Sequence, residues 1–412
     1  MTPEEKIEPA IGKIEQLLVE HCANGAQTRD LKPDGAACGQ FVGPTAKERP
    51  QRGLHGTAAA LRVLAEGNLT EANSLVPKLV WYIQNREKLH NDGKEPTAGK
   101  HAFDDDQKNV IKLSEVLYAL SFVNPSQCST DSMVQELANK LLAARKENKG
   151  WTYFLDTNAP IDNLPTAFAI LALCQHGYEP QIRSQIEFLE ANTLDAPGNQ
   201  TTNVTETSVK IFCVFALTFR KENLTQNDVS RRKLAFAKLW RTHQSLFDQD
   251  LEQNIEYWNG PNNYYVRIPW QLYLLALAAR LDPWRISSLR AQRRLDQILD
   301  AVLQTGFCYP YTGPSLSSRT NAILFDVLQK IKRFSKRNFF HALYYAFDAV
   351  RTFLSHPFFS GLTLTGFLLV AGYFIYAWAT RSGKPEDVGP DLTGAMILLL
   401  ISFFFERLRK SR

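Results

Sequence analysis

Residues 358–380 (FFSGLTLTGFLLVAGYFIYAWAT) run for 23 positions without a charged side chain. About 20 apolar residues in a helix cross the roughly 30 Å of bilayer hydrocarbon, so this stretch is expected to span a membrane. A second apolar run, 392–405 (LTGAMILLLISFFF), reaches spanning length only if it begins near Gly389. The expected membrane hairpin is therefore 357–412, with spans at 358–380 and 389–406. Lys330, Lys332, Arg333, Lys336, Arg337 and Arg351 precede it, and Arg407, Arg409, Lys410 and Arg412 follow. The connecting loop sets Glu386, Asp387 and Asp391 against Arg381 and Lys384. Positive charge beside membrane spans marks the cytoplasmic side. Both flanks, and with them the N-terminal body and the C-terminus, are expected in the cytoplasm. The opening MTPEEKIEPA is polar and acidic and reads as no signal peptide.

The body ahead of the hairpin is long enough for a large core. A net charge of +5 over 412 residues is mild and does not by itself demand a polyanionic partner. The six cysteines (22, 38, 128, 174, 213, 308) show no CxxC and no Cys/His spacing. That pattern suits a reducing compartment without structural zinc, and neither metal nor cofactor is expected.

Helical periodicity dominates the body. Thr2–Pro3–Glu4–Glu5 supplies an N-cap, a Pro at the first helical position and a capping Glu, and Ile7, Ile11, Ile14, Leu17 and Leu18 then recur at helical spacing. A unit of roughly 40–60 residues repeats: a Gly- and aromatic-rich loop, a small or hydroxyl residue, then an Ala/Leu-rich helix. Its copies are GLHGTAAALRVLA (53–65), KLSEVLYAL (112–120), LPTAFAILAL (164–173), ETSVKIFCVFAL (206–217), IPWQLYLLALAA (268–279) and SRTNAILFDVL (318–328). Amphipathic segments separate them at 131–146, 180–191, 229–246 and 286–304. A helix apolar all round must be buried on every side, and long internal repeats signal stacked arrays. The expected fold is all-α: an (α/α)6 toroid over 1–328, a basic amphipathic connector helix over 329–356, then the hairpin. An open helical solenoid is the alternative.

One repeat carries a family likeness. GWTYFLDTNAPIDNLPTAFAILAL (150–173) resembles the repeat of the terpene cyclases, squalene cyclases and protein prenyltransferase β subunits. The match lies in Gly150, Trp151, Asp162, Thr166 and Ala167. The resemblance implies the toroid and, as one reading, a membrane-anchored isoprenoid or lipid enzyme. Class II cyclases of that group protonate an alkene with an Asp of a D-x-D-D-T-A run. Here the run is IDNLPTA (161–167), with one Asp displaced from Thr–Ala. The zinc ligands of the prenyltransferases have no counterpart, and the P-loop, G-x-S-x-G and H-E-x-x-H motifs are absent. An enzyme is not expected, and no catalytic residue is assigned.

A ring without catalytic motifs still has a mouth, formed where the inner helices begin. Arg52, His55, Trp151, Tyr153, Trp258, Tyr264, Tyr265, Arg267, Trp270, Tyr311 and Arg319 fall there, most densely in EYWNGPNNYYVRIPW (256–270). Arginine grips phosphate in bidentate fashion and aromatic faces stack bases. These eleven residues are the expected site for a nucleotide or a short single-stranded oligonucleotide. Two spans cannot enclose a pore, but a homo-oligomer of hairpins can, with Glu386, Asp387, Asp391 and Glu406 at its mouths. Ring, connector and hairpin together resemble membrane effectors of bacterial anti-phage systems, such as the DNA-gated channel subunit of the Hailong type. That resemblance implies a ligand-gated channel in the bacterial inner membrane and a nucleotide-synthesising partner enzyme. A membrane-tethered scaffold for a protein partner is the third reading.

Overall fold

In a computed structural model the chain divides into two units, Met1–Arg337 and Asn338–Arg412. The residues described are 3–24, 31, 33–39, 52–67, 69–92, 108–147, 149–155, 158–194, 204–219, 225–244, 247, 256–259, 265–268, 270–306 and 318–335, all in the first unit. The expected spans, their loop acids Glu386, Asp387 and Asp391, and Glu406 lie outside them. So does most of the expected connector. Among the described residues no helix is long and apolar enough to cross a membrane.

The described body is helical apart from one short hairpin. Its helices are α1 (Pro3–Asn24), α2 (Leu54–Glu66), α3 (Thr70–Asn91), α4 (Val110–Leu120), α5 (Asp131–Ala144), α6 (Asn163–Gln175), α7 (Arg183–Thr193), α8 (Val204–Leu217), α9 (Gln226–His243), α10 (Trp270–Leu281), α11 (Leu289–Thr305) and α12 (Ser318–Ser335). The hairpin pairs β1 (Glu256–Asn259) with β2 (Tyr265–Ile268), antiparallel, with Tyr257 opposite Arg267 and Trp258 opposite Val266. The sequence reading had no strands; EYWN and YVRI form them.

Burial separates the helices into two kinds. In α6 every residue from Leu164 to Cys174 is buried, and α4 buries nine positions including Ile111, Leu113, Val116 and Leu117. Helices buried on all faces need neighbours on all sides. The odd-numbered helices bury one stripe instead: Met133, Leu137, Ala138 and Leu141 in α5, and Arg232, Phe236, Leu239 and Trp240 in α9. Packing partners follow that division. The even helices touch in the order α2–α4–α6–α8–α10–α12, and α12 packs back on α2. Outside them α3 lies on α2, α5 on α4, α7 on α6 and α8, and α9 on α8 and α10. The first helix, α1, packs against α11 and α12, joining the two ends of the described body.

All six apolar segments singled out in the sequence fall on the even helices. Their interior is one continuous core. A relay of rings crosses it: Phe168 to Phe212 at 4.3 Å, Phe212 to Tyr273 at 4.9 Å, Phe215 to Phe219 at 5.2 Å, and Phe219 to Tyr118 at 5.8 Å. Where the even helices end, Arg62 pairs with the buried Asp326 and stacks 4.7 Å over Tyr118. Arg280 lies 4.0 Å over Phe219 and donates to the Thr218 carbonyl. Cations near helix C-termini answer the partial negative charge of the last carbonyls. Burial lowers the pKa of Arg280 from its usual value.

Candidate ligand site where the inner helices begin

The opposite end of the even helices is built from loops pinned to helix N-termini. Trp151 N–H donates to Thr166 Oγ1 (3.0 Å), and that hydroxyl donates to the Asp162 carbonyl (2.7 Å). The loop then crosses to α4, where Val110 N–H donates to Tyr153 O and Leu155 N–H to Lys108 O, both at 2.9 Å. The first repeat uses the same device, since Thr57 Oγ1 accepts from Cys38 N–H (3.1 Å). In the last, Asn321 donates to the Gly306 carbonyl (3.2 Å). The Gly–aromatic–Thr pattern is thus a clamp between loop and helix. A Cβ on Gly150 would run into Thr166 Oγ1, and one on Gly56 into the Gly39 carbonyl.

The clamp decides what several expected site residues do. Trp151 is fully buried and its indole N–H donates to Leu141 O of α5 (2.7 Å). Arg52 is buried and stacks 5.9 Å over Tyr82 of α3. His55, at the start of α2, pairs with Glu115 of α4. Tyr153 is buried against Asp162, and burial followed by that carboxylate raises its hydroxyl pKa far above the usual tyrosine range. Trp258, Tyr265 and Arg267 belong to the hairpin, which packs on α8; Trp270 opens α10 and Arg319 lies in the first turn of α12. Tyr264 and Tyr311 lie outside the described residues. Arg52, His55, Trp151 and Tyr153 therefore join neighbouring elements at the start of the even helices.

A polar track runs on from Tyr153. Asp162 caps α6 by accepting from Leu164 N–H (2.8 Å). Next to it, Cys213 of α8 donates to Asn163 O (3.6 Å) and bonds with Thr193 of α7. Burial, and then Asp162, pushes the Cys213 thiol well up. Beyond Cys213 sits Lys210 of α8, half-buried, with Lys238 and His243 of α9 close to it. Burial and then Lys238 lower the pKa of Lys210, and burial and then Lys210 lower that of His243. The sequence pattern alone singles out neither His243 nor Lys210. The available signal was a lone lysine inside the apolar segment ETSVKIFCVFAL.

Among the described residues no group of three His, Cys, Asp or Glu side chains could hold a metal ion, and five cysteines are free thiols. No model of a known protein family matches the sequence, and no curated protein matches it. The geometry alone makes it an all-α helical-repeat protein, compatible with a toroid.

Proposed function

We propose that the first unit is an (α/α)6 toroid serving as the ligand-sensing body of a membrane effector. In this reading the protein is an oligomeric channel or pore of a bacterial anti-phage system, gated by a nucleotide or oligonucleotide signal. The apolar hairpin over 357–412 is its output. The observation that carries the reading is α12. Its first part packs among the even helices through Ala322, Ile323, Leu324, Phe325, Val327 and Leu328, all buried. The same helix continues without a break to Ser335, into the basic segment that leads to the apolar runs. In this reading a shift of α12 within the core moves the start of that basic segment.

The cyclase-like reading asks Asp162 to be an acid in a dry cavity. Its carboxylate is instead engaged as the N-cap of α6, accepting from Leu164 N–H. Membrane potential tests the proposal directly. Cells producing the full-length chain should depolarise when the signal is present, and cells producing a chain truncated before residue 357 should not. Full-length protein that never depolarises cells, whichever nucleotide or oligonucleotide is supplied, overturns the channel.

A further inference from the structure

Where α12 packs back on α2, the two helices share an ion pair, Arg62 with Asp326. Asp326 is the one acid of α12, and it is buried in a run that also buries Phe325, Val327 and Leu328. The Arg62 guanidinium lies 4.7 Å over the Tyr118 ring and 5.7 Å over Phe122. Burying two charges costs solvation that often outweighs their attraction, and the best-attested use of such a pair is to fix a register or to act as a switch.

Each member of the pair has a second group of opposite charge one turn further along its own helix. Glu66 follows Arg62 by four residues and is the one acid of α2, and Lys330 follows Asp326 by four residues on α12. Residues four apart on a helix are neighbours, and an acid ahead of a lysine, as in Asp326 and Lys330, is the better orientation. Glu66 and Lys330 are both half-buried. One aromatic layer joins the two helices here: Lys330 lies 5.9 Å over Phe219, whose ring is 5.8 Å from Tyr118. Separating α12 from α2 therefore strands neither charge, because one pair between helices is exchanged for two within them. Phe219 keeps a cation in the exchange, since Arg280 lies 4.0 Å over it.

From this pattern we propose that Arg62 and Asp326 form an exchangeable latch on α12. Closed, they pair across the seam. Open, Arg62 turns to Glu66 and Asp326 to Lys330, and α12 from Asp326 onward comes away from α2 while the other inner helices keep their packing. The latch regulates the helix that leads to the output of the membrane effector proposed above, and its consequence for the membrane rests on that reading.

Amide hydrogen exchange of the full-length protein in detergent tests the latch. Asp326→Asn removes the closed pair and should speed exchange over residues 326–335 by on the order of tenfold, with α4, α6 and α8 unchanged. Glu66→Gln combined with Lys330→Gln removes the partners of the open state and should slow exchange over the same residues, by about twofold per pair lost. A salt bridge that only adds stability predicts no such slowing. Unchanged or faster exchange in the Glu66→Gln/Lys330→Gln chain overturns the latch, and this arm decides even where Asp326→Asn does not fold. An Asp326→Asn effect spread evenly over all the inner helices overturns it too. In cells, Asp326→Asn should depolarise the membrane without any signal. The two proposals fail separately: the selective changes in exchange without depolarisation remove the channel and keep the latch, whereas depolarisation on signal, with exchange over 326–335 unmoved by these substitutions, does the reverse.

Discussion

At the scale of single residues, most of the polar groups where the even helices begin hold loops in place. Thr166 both accepts from Trp151 N–H and donates to the Asp162 carbonyl, so its hydroxyl is the joint of the clamp, and Gly150 is small because Thr166 stands against it. Gly150→Ala forces that joint apart, and overpacking of this kind costs about 1–3 kcal/mol. The denaturant midpoint should fall accordingly, and an unchanged midpoint would show that the loop yields freely. The Gly, the aromatic and the Thr were all visible in the sequence. Their roles were not, because the partners of Trp151 and Arg52, Leu141 on α5 and Tyr82 on α3, are fixed by how those helices pack and not by any local pattern. A second residue-scale prediction concerns pH. His176 is partly buried, with Nε2 against the Leu117 carbonyl (2.7 Å), and burial lowers its pKa below the ordinary 6.5. His243 shifts in the same direction. The unfolded chain therefore takes up these protons first as pH falls. The stabilisation is complete above 6.5, declines below it, and is gone once pH passes the lowered folded-state values. Denaturant midpoints measured from about pH 7.5 down to about pH 5.5 should decrease, and His176→Gln should flatten part of that slope.

At the scale of elements, the even helices were legible and the hairpin was not. A run such as LPTAFAILAL admits only a helix with neighbours on every side, so composition alone places it inside. EYWN and YVRI are four residues each, too short for alternation to stand out, and what makes them strands is their pairing with each other. Helix α8 was legible as an inner helix, but the meaning of Lys210 depended on where α9 docks. Helix starts offer a sharper comparison. Helix α9 has a capping box, with Thr225 Oγ1 accepting from Asp228 N–H (3.1 Å) and the Asp228 carboxylate accepting from Thr225 N–H (3.0 Å). It stands exposed, so Thr225→Ala should cost only the cap, about 0.5–2 kcal/mol. Asp162 also caps its helix, accepting from Leu164 N–H at the start of α6, but it is set against the buried Tyr153 of the clamped loop as well. Asp162→Ala removes cap and loop contact together and should destabilise more than Thr225→Ala. Asp162→Asn keeps an N-cap acceptor and should recover most of the difference. Equal losses for the two alanine variants would mean that Tyr153 gains nothing from Asp162.

At the scale of the whole described body, what distinguishes a cyclic arrangement from an open array is the last contact made: α12 packs back on α2, and α1 braces that contact from both sides. This helix buries Ile7, Ala10, Ile11, Ile14 and Leu18. Lys6 joins Asp296 at 2.8 Å and Asp300 at 2.7 Å on α11, Glu8 pairs with Lys332 of α12, and Glu15 accepts from Leu69 N–H at 2.7 Å ahead of α3. One helix thus touches both ends of the repeat array. The four larger of those apolar side chains are worth about 1.5–3 kcal/mol each on burial. Their sum rivals the 5–15 kcal/mol that typically separates a folded domain from its unfolded chain. In an open solenoid each repeat leans only on its neighbours, so deleting residues 1–24 would loosen α2 and α3 and leave the far repeats intact. In the cyclic arrangement the same deletion uncovers α11 and α12 as well as α2 and α3. Amide hydrogen exchange across the full-length and shortened chains separates the two. The cycle requires protection to fall in α2, α11 and α12 together, some 230 residues apart in sequence, with unfolding no longer a single cooperative step. Loss confined to α2 and α3 would leave the chain an array with two loose ends. A shift of α12 would then have no cyclic body to work against.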